Sequence, residues 1–210
     1  MAKEKRADRK GLEDAAAAIS PDSLDKAKSA IAIDCKEYIR WANIMAESLD
    51  KKVNTAEEVK RFARAVALCL LGHLPVKPWT CPFCIQYSGD QSCKGCGYAL
   101  THGGRCDKDS SAFSQFIEAF HELGQAIYQD NEEVSFDLSY AKNILKRSFC
   151  QSSMAAKKMI EGMPKASAFE LMEMKARYLH EMALLIPIIL LSSNSQEKLQ
   201  EVKNKLDSYW

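Results

Sequence analysis

Two pairs of thiols carry the chemistry that is legible in this chain: Cys81-Pro-Phe-Cys84 and, after eight residues, Cys93-Lys-Gly-Cys96. Two residues between cysteines form a tight turn whose backbone N–H groups point at the sulfurs. Two such turns can close a tetrahedral shell of four thiolates around one metal ion. The intervening IQYSGDQS can form a short hairpin, with Gly89 in its turn and Gly95 and Gly97 serving the second knuckle. The segment is poor in apolar residues, so coordination would supply stability that side-chain burial cannot. His102 and Cys106 are possible additional ligands. With Cys93 and Cys96 they read C-x2-C-x5-H-x3-C, close to a retroviral-type zinc knuckle but off by one at two spacings.

CPFC and CKGCGY resemble the facing knuckles of zinc ribbons and rubredoxin-like modules. The resemblance spans residues 79–100 only, and the rest of the chain resembles no family. It implies Cys81, Cys84, Cys93 and Cys96 as ligands of one zinc or iron. The chain departs from the pattern in its eight-residue spacer and in having no glycine after Cys84. Zinc is the expected cofactor. A 4Fe-4S cluster or mononuclear iron is the alternative, because all-thiolate sites suit both metals. CPFC is also similar to a glutaredoxin active site. That chemistry requires the first cysteine at a helix N-terminus within a βαβ unit, whereas IQYSGDQSCKGC reads as a poor helix with no strand–helix alternation around it.

The elements that must position these thiols are helical. Pro21 fits a first helical position, and Leu24, Ala27, Ile31, Cys35, Tyr38, Ala42, Met45 and Leu49 then recur at steps of three and four. Thr55-Ala-Glu-Glu58 is a capping box; its helix ends near Gly72, where Pro75 and Pro78 forbid continuation. Ser110 or Ser111 caps the helix after the cysteines, Ser135 starts the next, and Gly162-Met-Pro164 stops it. Ser167-Ala-Phe-Glu170 is a second capping box. Its helix should kink or end at Pro187, and a last amphipathic helix runs from about Gln196 to Ser208. The expected fold is all-α: a bundle of about six helices with a small Cys-rich metal module inserted at 74–109. Residues 1–19 read as a flexible basic arm and 20–210 as one helical domain.

Composition narrows function by exclusion. There are 29 Lys and Arg against 28 Asp and Glu, a net charge of +1, so no global field favours nucleic acid or an anionic membrane. Lys94, Arg105 and Lys108 are the bases a nucleic-acid-binding ribbon would use, and Asp90, Asp107 and Asp109 offset them. MALLIPIILL is about half a membrane span and contains Pro187, so no transmembrane segment is expected. It reads as a buried central helix, with a partner groove as the sharper alternative. No secretory leader is legible, and the address expected is cytoplasmic, where cysteines serve as ligands and apolar fillers rather than disulfides. Trp41, Trp79 and Trp210 read as core or interface fillers. Glu118-Ala-Phe-His121 is half of a di-iron ExxH pattern. Rubrerythrins combine a bundle with a rubredoxin-like module, but no second ExxH occurs here. His73 is expected to cap a helix carbonyl rather than approach the metal.

No phosphate loop and no acid, base or nucleophile constellation accompanies the thiols. Three functions remain. The first expectation is a non-catalytic, zinc-binding helical scaffold or accessory subunit that contacts a protein partner or a second copy of itself. An iron–sulfur electron-transfer subunit of a redox complex and a nucleic-acid-binding zinc ribbon are the alternatives.

Overall fold

Hydrogen bonds made by short side chains at helix starts set most of the boundaries. The computed structural model describes residues 9–90, 93–101, 104–132 and 136–209, and every regular element among them is helical. The first two helices are α1 (Arg9–Ala17) and α2 (Pro21–Lys52). Ser20 caps α2 by accepting the Ser23 N–H at 3.2 Å, and Pro21 stands at the position where its missing N–H costs nothing. Thr55 and Glu58 form the expected capping box of α3 (Ala56–Gly72). Ser111 caps α6 (Ala112–Gln129), and Ser167 with Glu170 opens α8 (Ala168–Leu185). Between α3 and α6 lie α4 (Pro82–Tyr87) and α5 (Gly97–Thr101), and the remaining helices are α7 (Leu138–Gly162) and α9 (Ser193–Tyr209).

Several expectations are corrected. Residues 9–17 belong to a helix rather than to a flexible arm. Its alanine-rich sequence favours helix, Leu12 and Ala16 are buried, and it packs on α5 and α8. Residues 1–8 and Trp210 lie outside the described residues. No hairpin follows Cys84: IQY continues α4, and no strand occurs among the described residues. Asp137, not Ser135, caps α7, accepting the Tyr140 N–H at 2.7 Å; Ser135 itself is outside the described residues. Among the described residues nine α-helices therefore stand where about six were expected, the additional ones being short.

In the packed arrangement α2 lies against α7 and α6 against α9. The helix α3 touches α2, α6 and α7 and so links the two pairs, while α8 touches α7, α9 and α1. Ile31, Tyr38, Leu70, Phe116, Leu145 and Leu179 are among the buried side chains that unite them. Pro187 ends α8 as expected. MALLIPIILL is thus a helix end followed by a 3-10 turn, with Met182, Ile186, Leu190 and Leu191 buried and Leu184 and Ile189 exposed. No helix of the described residues is long and apolar enough to cross a membrane.

One carboxylate fastens three of these helices. Asp130, at the end of α6, is only 4% exposed. Its Oδ2 accepts the Ser192 N–H at 2.7 Å and the Ser195 hydroxyl at 3.2 Å, both at the start of α9, while Oδ1 pairs with Lys60 of α3 at 2.8 Å. Burial alone would raise its pKa, but Lys60 and the two Ser192 donors together outweigh burial and hold it below the ordinary value. Its contribution to stability is therefore present above about pH 4 and is lost as the pH falls through the folded-state pKa. Removing the carboxylate strands the Lys60 ammonium. Asp130→Ala should cost about 3 kcal/mol in denaturant unfolding at pH 7, and Asp130→Asn should lose stability less steeply than wild type below about pH 4.

Candidate metal centre

The cysteine segment is held by turns, each with an identifiable local cause. Pro78 starts a 3-10 turn, Pro78–Thr80, which closes with the Cys81 N–H donating to the Pro78 carbonyl at 3.0 Å. Thr80 is fully buried, and its hydroxyl hydrogen lies between the Pro75 and Lys77 carbonyls at 2.8 and 2.7 Å. Cys81 is then the N-cap of α4, with Pro82 in the first turn. A backbone N–H from Cys84 is directed at the Cys81 sulfur. At the second pair, Cys93 has φ 50° and Gly95 has φ 77°, and the turn closes with the Cys96 N–H donating to the Cys93 carbonyl at 3.1 Å. A left-handed cysteine is uncommon and carries backbone strain. The N–H groups of Tyr98 and Ala99, at the start of α5, point at the Cys96 sulfur. Backbone amides are thus directed at a sulfur of each pair.

The fold brings all five cysteines of the segment together. Cys81, Cys84, Cys93 and Cys106 line one cavity of about 210 Å³, and Cys96 is buried within electrostatic reach of Cys81 and Cys93. The Cys81 and Cys84 side chains influence one another, as do those of Cys84 and Cys106, so Cys106 belongs to the same group of thiols. It is fixed to α6 because its carbonyl accepts the hydroxyl of the capping Ser111 at 2.8 Å. His102 lies outside the described residues. Among the described residues no group of three or more Cys, His, Asp or Glu side chains is arranged as a ligand set for a metal ion. Four of the thiols line a common cavity.

Burial and the lysines on the lining set the electrostatics of the cavity, which Asp107 also lines. The Cys81 thiol is pushed well above its ordinary pKa, first by its hydrogen bond to Cys84 and then by burial. Cys84 rises to about 12, chiefly through its hydrogen bond to Cys106, and burial raises Cys96. Such thiols give up their protons only to a compensating positive charge. Lys175 of α8, which sequence reasoning missed, supplies one. It is 2% exposed, lines the cavity, and donates to the Thr80 hydroxyl oxygen at 3.2 Å and the Thr80 carbonyl at 3.4 Å. Burial lowers its pKa, while the fields of Cys81, Cys84 and Cys106 act in the opposite direction. Its sequence position held a signal: Leu171, Met172, Tyr178, Leu179 and Met182 place residue 175 in the middle of the buried stripe of α8.

The other candidates fall outside the cluster. His73 caps α3, its Nδ1–H donating to the Cys69 carbonyl at 2.7 Å, as expected. Cys35 is buried on α2 beside Tyr178, with its thiol raised to about 11 mainly by burial, and Cys150 is exposed on α7. All eight cysteines are unpaired thiols. Arg105 is occupied by Asp107, its Nε donating at 2.9 Å. Glu118 and His121 stand over an open surface depression beside Asp109 and Glu122. Helix α4 does follow Cys81, contrary to the expectation of a poor helix, but no βαβ unit surrounds it among the described residues. The chain matches no protein-family model, no curated protein and no solved structure.

Gly97 joins the cluster to the scaffold. A Cβ at this position would lie 2.2 Å from the Ala15 Cβ and 2.9 Å from the Phe83 ring, so α1, α4 and α5 can meet only around a glycine. Gly97→Ala should force α1 away and cost about 1–3 kcal/mol, read as a lower denaturation midpoint with faster hydrogen exchange in residues 9–17.

Proposed function

We propose that this chain is a metal-binding helical scaffold, with zinc held by the thiolates of Cys81, Cys84, Cys93 and Cys96, that works through contacts with other proteins rather than by catalysis. One observation carries the reading: Cys81, Cys84, Cys93 and Cys106, from three separate turns, line one cavity with the buried Lys175, and Cys96 is buried within electrostatic reach of Cys81 and Cys93. The donor chemistry fits a thiophilic cation, since amides already point at Cys81 and Cys96 and the thiols would exchange their protons for the metal. Bound there, zinc would supply structural cross-linking of the α4 turn to the 93–96 turn.

Support for a protein partner comes from α2. Ile33, Trp41 and Ile44 are exposed and fall within one stripe of the helix, and Trp79, on the turn packed against α2, is exposed as well. A second copy of the chain is the other occupant of the same class. A cytoplasmic address is part of the proposal, since a reducing compartment keeps such thiols available.

A second reading is favoured by Cys106. Its place in the group of thiols, together with a cavity larger than one ion needs, suits a 4Fe-4S cluster in an electron-transfer subunit. A nucleic-acid role has less support, because Arg105 is committed to Asp107.

Purification without oxygen, with metal analysis and an absorption spectrum, separates the readings. A colourless protein with one zinc per chain is expected; a brown protein with iron and sulfide would replace zinc with the cluster, and a metal-free protein would sink both. Cys81→Ser and Cys96→Ser should lose the metal, while Cys35→Ser, Cys69→Ser and Cys150→Ser keep full stoichiometry. Full metal content in Cys96→Ser would show that the ligand set is wrong.

A further inference from the structure

We infer that Lys175 is the built-in counter-cation of the thiolate–metal unit, a positioning residue that sets how tightly the site holds its metal. The inference rests on the metal-binding reading above and adds to it a residue from a different helix, 69 positions beyond Cys106, the last cysteine of the segment.

A buried ammonium is costly unless an anion offsets it. Lys175 is 2% exposed, yet its two hydrogen-bond acceptors, the hydroxyl and carbonyl oxygens of Thr80, are both neutral. No carboxylate lies within ion-pair distance of it among the described residues. The acid in its electrostatic neighbourhood is Asp34, whose Oδ1 faces Lys77 at 4.0 Å instead. Lys175 lines the same cavity as Cys81, Cys84, Cys93 and Cys106; Asp107 and Lys77 also reach this lining, Asp107 being paired with Arg105 and Lys77 facing Asp34.

Thr80 fixes the direction of the ammonium. Its hydroxyl hydrogen is committed to backbone carbonyls, which leaves the oxygen to accept from Lys175, and it immediately precedes Cys81. Four thiolates around a divalent ion carry about two excess negative charges. A cation that is part of the protein would offset those charges, and Lys175 is the fully enclosed one on the lining, Lys77 being partly exposed. The same arithmetic holds for a four-thiolate cubane, so the role does not depend on which metal is bound.

The test uses the full chain, stripped of metal and titrated with Co(II) to read the thiolate-to-cobalt absorption, then with Zn(II) against a chromophoric chelator. Lys175→Met and Lys175→Gln are compared with wild type; the Gln variant keeps a donor for Thr80 but removes the charge. Both should bind Zn(II) about 10–100-fold more weakly than wild type, while their metal-free forms unfold at the same or higher denaturant concentration. Leu179→Ala, on the same buried stripe, should lower stability and leave Zn(II) affinity within about twofold. Wild-type affinity in either Lys175 variant overturns the inference. A wild-type chain that gives no cobalt–thiolate absorption and takes up no iron removes the metal reading itself, a different result from a Lys175 variant that binds as wild type does.

Discussion

The ammonium of Lys175 is enclosed with thiols, and the geometry around it follows from that pairing. An isolated buried charge must find polar partners, so Thr80 is drawn fully inside, with its own hydrogen satisfied by the Pro75 and Lys77 carbonyls and its lone pairs turned to Lys175. Fixing Thr80 fixes Cys81, the next residue and the N-cap of α4. Cys84 follows on α4, and Cys106 is brought to the same cavity by its tie to the cap of α6. The sulfur cluster is therefore organised from the bundle side, by α8, as well as by its own turns.

The segment from 74 to 109 has few large apolar residues and uses them as anchors. Phe83 and Tyr98 are buried, Gly97 admits Ala15 of α1, and the Cys106 carbonyl is tied to the cap of α6. Each turn of the segment is thus attached to a different helix: the Pro78–Thr80 turn and α4 to α2, α5 to α1, and the Cys106 turn to α6. This differs from a ribbon appended to a bundle. A module fastened in three places transmits strain to the scaffold, whereas one joined by two strands can detach without consequence.

What could be read in advance was local. Ser20 with Pro21, Thr55 with Glu58, Ser111, and Ser167 with Glu170 mark helix starts because the bonds involved span three residues. The doubled CxxC likewise announced its turns, down to amides aimed at sulfur. What escaped was set by contacts distant in sequence or by elements too short for periodicity to show. Helices α4 and α5 have six and five residues, below the length at which a 3.6 repeat can be distinguished. Helix α1 presents only Leu12 and Ala16 to the core and depends on Gly97, some eighty residues away. Lys175 escaped because a lysine in a helix ordinarily belongs to the solvated face, and only its neighbours on the buried stripe argue otherwise.

Charge, more than shape, distinguishes this site from a group of merely buried cysteines. Cys35 is also buried and its thiol is also raised, to about 11, yet its partner is the neutral phenol of Tyr178. A lone buried thiol of that kind is an apolar filler. The segment cysteines share their cavity with a cation that has no carboxylate within ion-pair distance among the described residues. A buried lysine with no ion pair either gives up its proton or is stabilised by negative charge on its neighbours. Thiolates develop such charge when a metal displaces their protons. On the metal-binding proposal, occupancy of the site, the charge of Lys175 and its bonds to Thr80 would be linked in one equilibrium.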